Sequence, residues 1–202
     1  MEGQGHAASK QVLLSRPLVV LLSLGAAIGL SAAAALIIVF GQQRSLATLF
    51  EPRHLMLERI AAGSLLGLGL AVAVASLTLL PPLRPARELI DRVMVELRAG
   101  LGLIVLVGLC AGIGEEFLFR AALQPLVGIW VAALLFAFAH VGVTKLDRPR
   151  LAFAAYAFST GALFGLFYEK HGLPGAAAAH AVYDIALLFL LQLMRRLGAR
   201  RE

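Results

Sequence analysis

The chain has 202 residues, of which 60% are hydrophobic and 15% charged, with a mean hydropathy of +0.86. Soluble domains carry about half apolar and about a quarter charged residues, so this composition excludes an ordinary water-soluble globule. A single cysteine, Cys110, excludes an internal disulfide, and the net charge of +6 sits in short segments between apolar runs, the pattern of membrane topology and not of nucleic-acid binding.

In chain order, uncharged stretches cover 18–41 and 60–83, each of 24 residues, and then 99–114, of 16, which runs into Glu115. Stretch 121–144 has His140 as its one ionisable group, and 151–168 has none of Asp, Glu, Lys, Arg or His. Stretch 172–194 holds His180 and Asp184. About 20 apolar residues in a helix cross ~30 Å of hydrocarbon. These runs predict about six transmembrane helices, with the third continuing through Glu115 and Arg120 to about Leu126. The apolar–polar alternation of a β-barrel is absent. The fold class expected is an all-α, polytopic membrane helix bundle forming one membrane domain over 1–202.

Pro17, Pro81, Pro82, Pro85 and Pro174 punctuate helix ends. The first run continues apolar to Phe40, too long for a signal-peptide core, and reads as an uncleaved anchor. Segment 85–98 places Leu89, Ile90, Val93 and Leu97 at helical spacing between charges, as in a short interfacial amphipathic helix. With the N-terminus inside, thirteen Lys and Arg fall on the cytoplasmic side and four (Arg44, Arg53, Arg59 and Lys170) on the other, leaving Arg120 within the membrane. That bias places both termini in the cytoplasm, and the chain in the plasma (inner) membrane if it is bacterial. Gly25/Gly29, Gly63/Gly67, Gly108/Gly112 and Gly161/Gly165 are pairs four apart that let helices approach closely.

Glu115, Glu116, Arg120, His140, His180 and Asp184 lie within these spans. A charge at the bilayer centre costs on the order of 3 kcal/mol, so such groups are expected to have partners and a function. Glu116 and Arg120 are i and i+4, acid first, and suit a self-neutralising pair that fixes the helix. Glu115 projects about 100° away from that face, and a desolvated carboxylate without a local cation suits a general base. His180 and Asp184 are also i and i+4, so the carboxylate can orient the imidazole. His140 alone would read as a packed core histidine. Placing a turn near Val127 by Pro125–Gly128, and the start of the last span near Gly172, puts Glu115, His140, His180 and Asp184 at depths of ~18, ~20, ~12 and ~18 Å below one surface. Four ionisable groups from three helices then share one layer.

Glu115-Glu116-Phe117-Leu118-Phe119-Arg120, Phe136-x-x-x-His140 and His180-x-x-x-Asp184 resemble, in order, the EExxxR, FxxxH and Hxxx(N/D) motifs of the CPBP family. These are the CAAX prenyl protease type II and bacteriocin-processing (Abi) intramembrane endopeptidases. The resemblance divides the chain into two spans and the interfacial helix (1–98) and a motif-bearing core (99–194). It implies hydrolysis of a peptide bond in a membrane-associated or lipidated peptide or protein. Glu115 and His140 would activate the water, His180 and Asp184 would hold the scissile carbonyl or its oxyanion, and Glu116, Arg120 and Phe136 would support them. Amide hydrolysis needs a base, an acid for the leaving amine and donors for the oxyanion, which this set can supply.

Some family members carry Asn where Asp184 stands. Asp184 could be protonated, could orient His180, or could ligate a metal. The family is described both as metalloproteases and as glutamate-type proteases. A Glu/His water mechanism needs no cofactor; a divalent metal such as zinc would draw on His140, His180, Glu115 and Asp184. The sequence has no HExxH and its two histidines lie on separate helices, which does not decide between the two; the metal-free Glu/His route is the one favoured. The partners expected are the peptide substrate and the lipid bilayer, with no nucleic acid. Two other readings compete: a non-catalytic scaffold or immunity-type protein using the polar cluster as interhelical glue, and a small proton-coupled transporter, against which the lack of an inverted repeat counts.

Overall fold

The computed structural model describes residues 15–51, 55–80, 100–141 and 148–198. Segment 85–98, expected to be an interfacial helix, lies outside the described residues, as do His6 and His54. Helix α1, Arg16–Leu36, starts with Pro17 in its first turn, where no intrahelical N–H is needed. It ends in a π-helical turn, Ile37–Gly41, before a short 3-10 helix, Leu46–Leu49. Helix α2 is Met56–Leu77 and α3 is Leu101–Glu116. A π-helical stretch, Phe117–Leu123, joins α3 to α4, Gln124–Val141, and α5 is Arg148–Gly198. The described residues contain no strand, so the molecule is an all-α bundle.

Four helical runs are long and apolar enough to cross a membrane: Arg16–Gly41, Met56–Leu77, Leu101–Val141 and Arg150–Leu197. Their lipid-facing character shows in exposed Leu21, Ile28, Phe40, Leu57, Leu65 and Trp130. The two longest runs each double back at a glycine. Phe164 and His180 would be ~24 Å apart along one continuous helix, yet their rings stack with centroids at 5.0 Å. Phe119 and Phe136, which would be ~25 Å apart, meet edge to face at 5.2 Å. The reversals fall at Gly172 (φ 66°) and Gly128 (φ 80°), left-handed conformations that a side chain would disfavour. They divide the third and fourth runs into arms 101–127 and 129–141, and 148–171 and 173–198, close to the turn and the start of the last span expected from the sequence.

Arg59, counted from the sequence as a loop charge, is buried, with 2% of its surface exposed. Its Nε donates to the carbonyl of His171 at 2.6 Å. The last carbonyls of arm 148–171 have no helical partner, and the guanidinium supplies one at the Gly172 turn. Gln42 does similar work at the π stretch, its Nε2 donating to the carbonyls of Ala121 and Ala122 at 3.0 and 2.6 Å.

Helix α2 packs mainly on α5 through Gly63 and Gly67, where an added Cβ would run into the carbonyl oxygens of Gly175 and Ala179. Gly108 and Gly112 admit Ile185 and Ala181 in the same way, and Gly161 and Gly165 admit Phe136 and Gln124. Gly25 and Gly29 have open space instead, so this pair does not serve packing among the described residues. Gly67→Ala is therefore expected to lower stability by ~1–3 kcal/mol, the range for overpacking, seen as a lower unfolding midpoint in detergent. Gly25→Ala should show no loss.

Candidate active site

The sequence Gly112-Ile113-Gly114-Glu115-Glu116 brings two adjacent carboxylates to the end of α3, where the backbone widens into the π stretch. Such π segments interrupt the regular ladder and recur at functional sites. Neighbouring residues on a helix diverge by about 100°, and here the two carboxylates have different partners.

Glu116 is fully buried. Its Oε2 accepts from Arg120 Nε at 3.1 Å, and Arg120 is equally buried. Its Oε1 lies 2.9 Å from His180 Nδ1, which joins α3 to arm 173–198. The pair with Arg120 was legible from the i, i+4 spacing; the bond to His180 was not, because it spans 64 residues. On its other side His180 Nε2 lies 3.5 Å from Asp184 Oδ2. The His180 ring is thus held between two carboxylates while Phe164 stacks on its face, at 5.0 Å.

Glu115 turns to α4. Its Oε2 is 3.4 Å from His140 Nε2, inside ion-pair range, although that oxygen makes no hydrogen bond of good geometry. His140 Nδ1 is 2.8 Å from the carbonyl of Phe136. A carbonyl only accepts, so Nδ1 carries the hydrogen and a neutral ring presents its Nε2 lone pair to Glu115. Two acceptors then face each other, an arrangement in which Glu115 and His140 can take up one proton between them. Both stay accessible, with 20% and 30% of the side chain exposed, in contrast to buried Glu116 and Arg120.

Phe136 ties these elements together. Its ring lies 4.3 Å from that of His140, 5.9 Å from that of His180 and 5.2 Å below the guanidinium carbon of Arg120. Arg120, His140 and His180, on three separate stretches of chain, therefore meet around one aromatic ring. The sequence reading missed the walls. A cavity of about 220 Å³ is lined by His140, His180 and Asp184 and also by Phe153, Tyr156 and Tyr183. Aromatic residues in apolar helices carry no signal beyond packing, so only the fold could place them here. Thr160 lines the same cavity while its hydroxyl donates back to the carbonyls of Tyr156 and Ala157, as expected of a helical threonine. Glu115 lies outside that lining, on the wall of a separate cavity toward α1. A third cavity, of about 280 Å³, lies by Arg44, Arg59 and Gly172, away from the motif residues.

Among the described residues no three His, Cys, Asp or Glu side chains converge as a metal-binding group. The donors form two separate pairs, Glu115 with His140 and Asp184 with His180, and each histidine already spends Nδ1 on a neighbour.

Residues 98–186 match the family model described as Rce1-like, type II CAAX prenyl endopeptidase. Searches of curated proteins and of solved structures return no match to the chain. The matched segment contains Glu115, Glu116 and Arg120, Phe136 and His140, and His180 and Asp184. With apolar membrane-spanning helices carrying these motifs, residues 98–186 form a Rce1-like domain of the CPBP family of intramembrane proteases.

Proposed function

We propose that this integral membrane protein hydrolyses a peptide bond of a membrane-associated or lipidated peptide, with water activated by Glu115 and His140. The observation that carries this reading is the approach of these two side chains to 3.4 Å, both partly accessible and beside a cavity lined by His140, His180 and Asp184. Water oxygen forms the bond to the scissile carbonyl carbon while its proton passes to the Glu115–His140 pair. The carbonyl oxygen, gaining charge, faces His180 Nε2, and Asp184 orients that ring. When the C–N bond breaks, His140 returns the proton to the departing nitrogen. Glu116 and Arg120 take no proton in these steps; they hold His180 in place from the buried side. Six crossings, with both termini cytoplasmic, complete the reading; the reversals at Gly128 and Gly172 and the basic-residue bias support it.

The test compares membrane-associated peptides in cells carrying the wild-type chain or His140→Ala. Uncleaved precursors should accumulate with the variant, while its amount in the membrane stays equal. Identical peptide patterns would reject the hydrolase. Because every step uses side chains of the chain itself, turnover of purified protein should also persist after exhaustive treatment with a strong zinc chelator; loss that zinc restores would overturn the metal-free steps.

A further inference from the structure

Glu115 faces a different space from its partners. Helices α1 and α3 run side by side in parallel, and two cavities follow one another along their seam. The first, about 300 Å³, lies at the helix starts, by Arg16, Val20, Gly100 and Leu103. The second, about 160 Å³, lies deeper, by Ser23, Ala26, Cys110 and Ala111, and ends on Glu115. Leu101 to Glu115 is 14 residues, so the seam reaches ~21 Å from the helix end. It stops where Gly114 lets α3 touch Ala27: a Cβ on Gly114 would come within 2.9 Å of the Ala27 Cα.

We propose that this α1–α3 seam is the route by which the hydrolytic water reaches Glu115, separate from the cavity that receives the peptide. The inference rests on the hydrolase reading above. A peptide seated against His140, His180 and Asp184 fills a cavity of about 220 Å³ and closes that side to solvent. The attacking water must then come from elsewhere, and Glu115 lines the seam instead of the peptide cavity. Small side chains leave the gap, Ser23 offers a hydroxyl along it, and the deeper part has room for about five waters at ~30 Å³ each. The occupant is water and not an acyl chain, because hydrocarbon would leave the exposed 20% of the Glu115 side chain unsolvated.

Cys110, the one cysteine of the chain, lines the deeper cavity and reports on it directly. Thiols react as thiolates, which form in water and not in hydrocarbon. The full chain in lipid nanodiscs should be modified at Cys110, one adduct per chain by mass spectrometry, by a charged methanethiosulfonate as well as by a lipid-soluble maleimide. Ala111→Leu, or Ala26→Phe from the facing helix, should reduce the charged labelling and hydrolysis together while peptide binding persists. Labelling by the maleimide alone means that an acyl chain fills the seam and overturns the route, as does full hydrolysis in both plugged variants. Failure of the hydrolase reading looks different: the wild-type chain would then cleave no peptide, or Glu115→Gln would cleave it at the wild-type rate, whatever Cys110 reports. Charged labelling with an inactive Glu115→Gln supports both.

Discussion

Glu115→Gln should lower the rate of peptide hydrolysis by ~10²–10⁴-fold, the usual contribution of a positioned general base. Glutamine keeps the size and most of the packing of the side chain but cannot accept a proton. His140 Nδ1 is committed to the Phe136 carbonyl at 2.8 Å, so after this change Nε2 has no carboxylate with which to share one. Because Glu115 retains 20% exposure and has no buried cation, the change should leave the amount of folded protein and its detergent unfolding midpoint near wild type. The measurement is single-turnover cleavage of a membrane-tethered peptide in proteoliposomes, with the unfolding midpoint taken from the same preparation. Wild-type turnover by this variant would remove Glu115 from the mechanism.

Arg120→Ala acts on stability instead. Arg120 and Glu116 are both fully buried and 3.1 Å apart. Removing one member of a buried pair leaves the other charge uncompensated, at a cost of ~3–5 kcal/mol. The guanidinium also lies 5.2 Å over the Phe136 ring, the ring that packs on His140 and His180, so the site should loosen with it. A lower unfolding midpoint and reduced membrane abundance are the expected readouts. The double change Glu116→Gln with Arg120→Met separates two roles, since replacing a whole buried pair by neutral groups is often close to neutral for stability. It should recover much of the midpoint yet not hydrolysis, because His180 Nδ1 then loses the charged acceptor at 2.9 Å that orients it. Full recovery of both would make the pair purely structural.

The site was legible in the sequence to the extent that local spacing governs it. Glu116 with Arg120, and His180 with Asp184, are one helical turn apart, and a helix places such residues on one face whatever surrounds it. The shared depth of the ionisable groups followed from counting residues to Pro125–Gly128 and to Gly172, both of which prove to be reversals. The assignment of partners between helices could not be counted. Rotation about a helix axis is set by side-chain packing, and this decides that Glu115 meets His140 while Glu116 meets His180. Arg59 shows the same limit: its sequence neighbours suggested a loop charge, yet the Gly172 turn needed a donor for the His171 carbonyl and drew the guanidinium inside.

Composition and hydrophobic run length by themselves determined that this chain lives in a bilayer as helices, because backbone groups in hydrocarbon must pair within helices or closed barrels and these runs lack a barrel's alternation. The motif order was also linear information. Tertiary structure alone decided that Phe136 would be the hub of the site, that aromatic walls would enclose one cavity, and that Glu115 would open onto the seam beside α1. Those outcomes depend on which helix faces touch. Close approach at Gly63, Gly67, Gly108 and Gly112 sets them through contacts between residues far apart in the chain, and local spacing carries no information about such contacts.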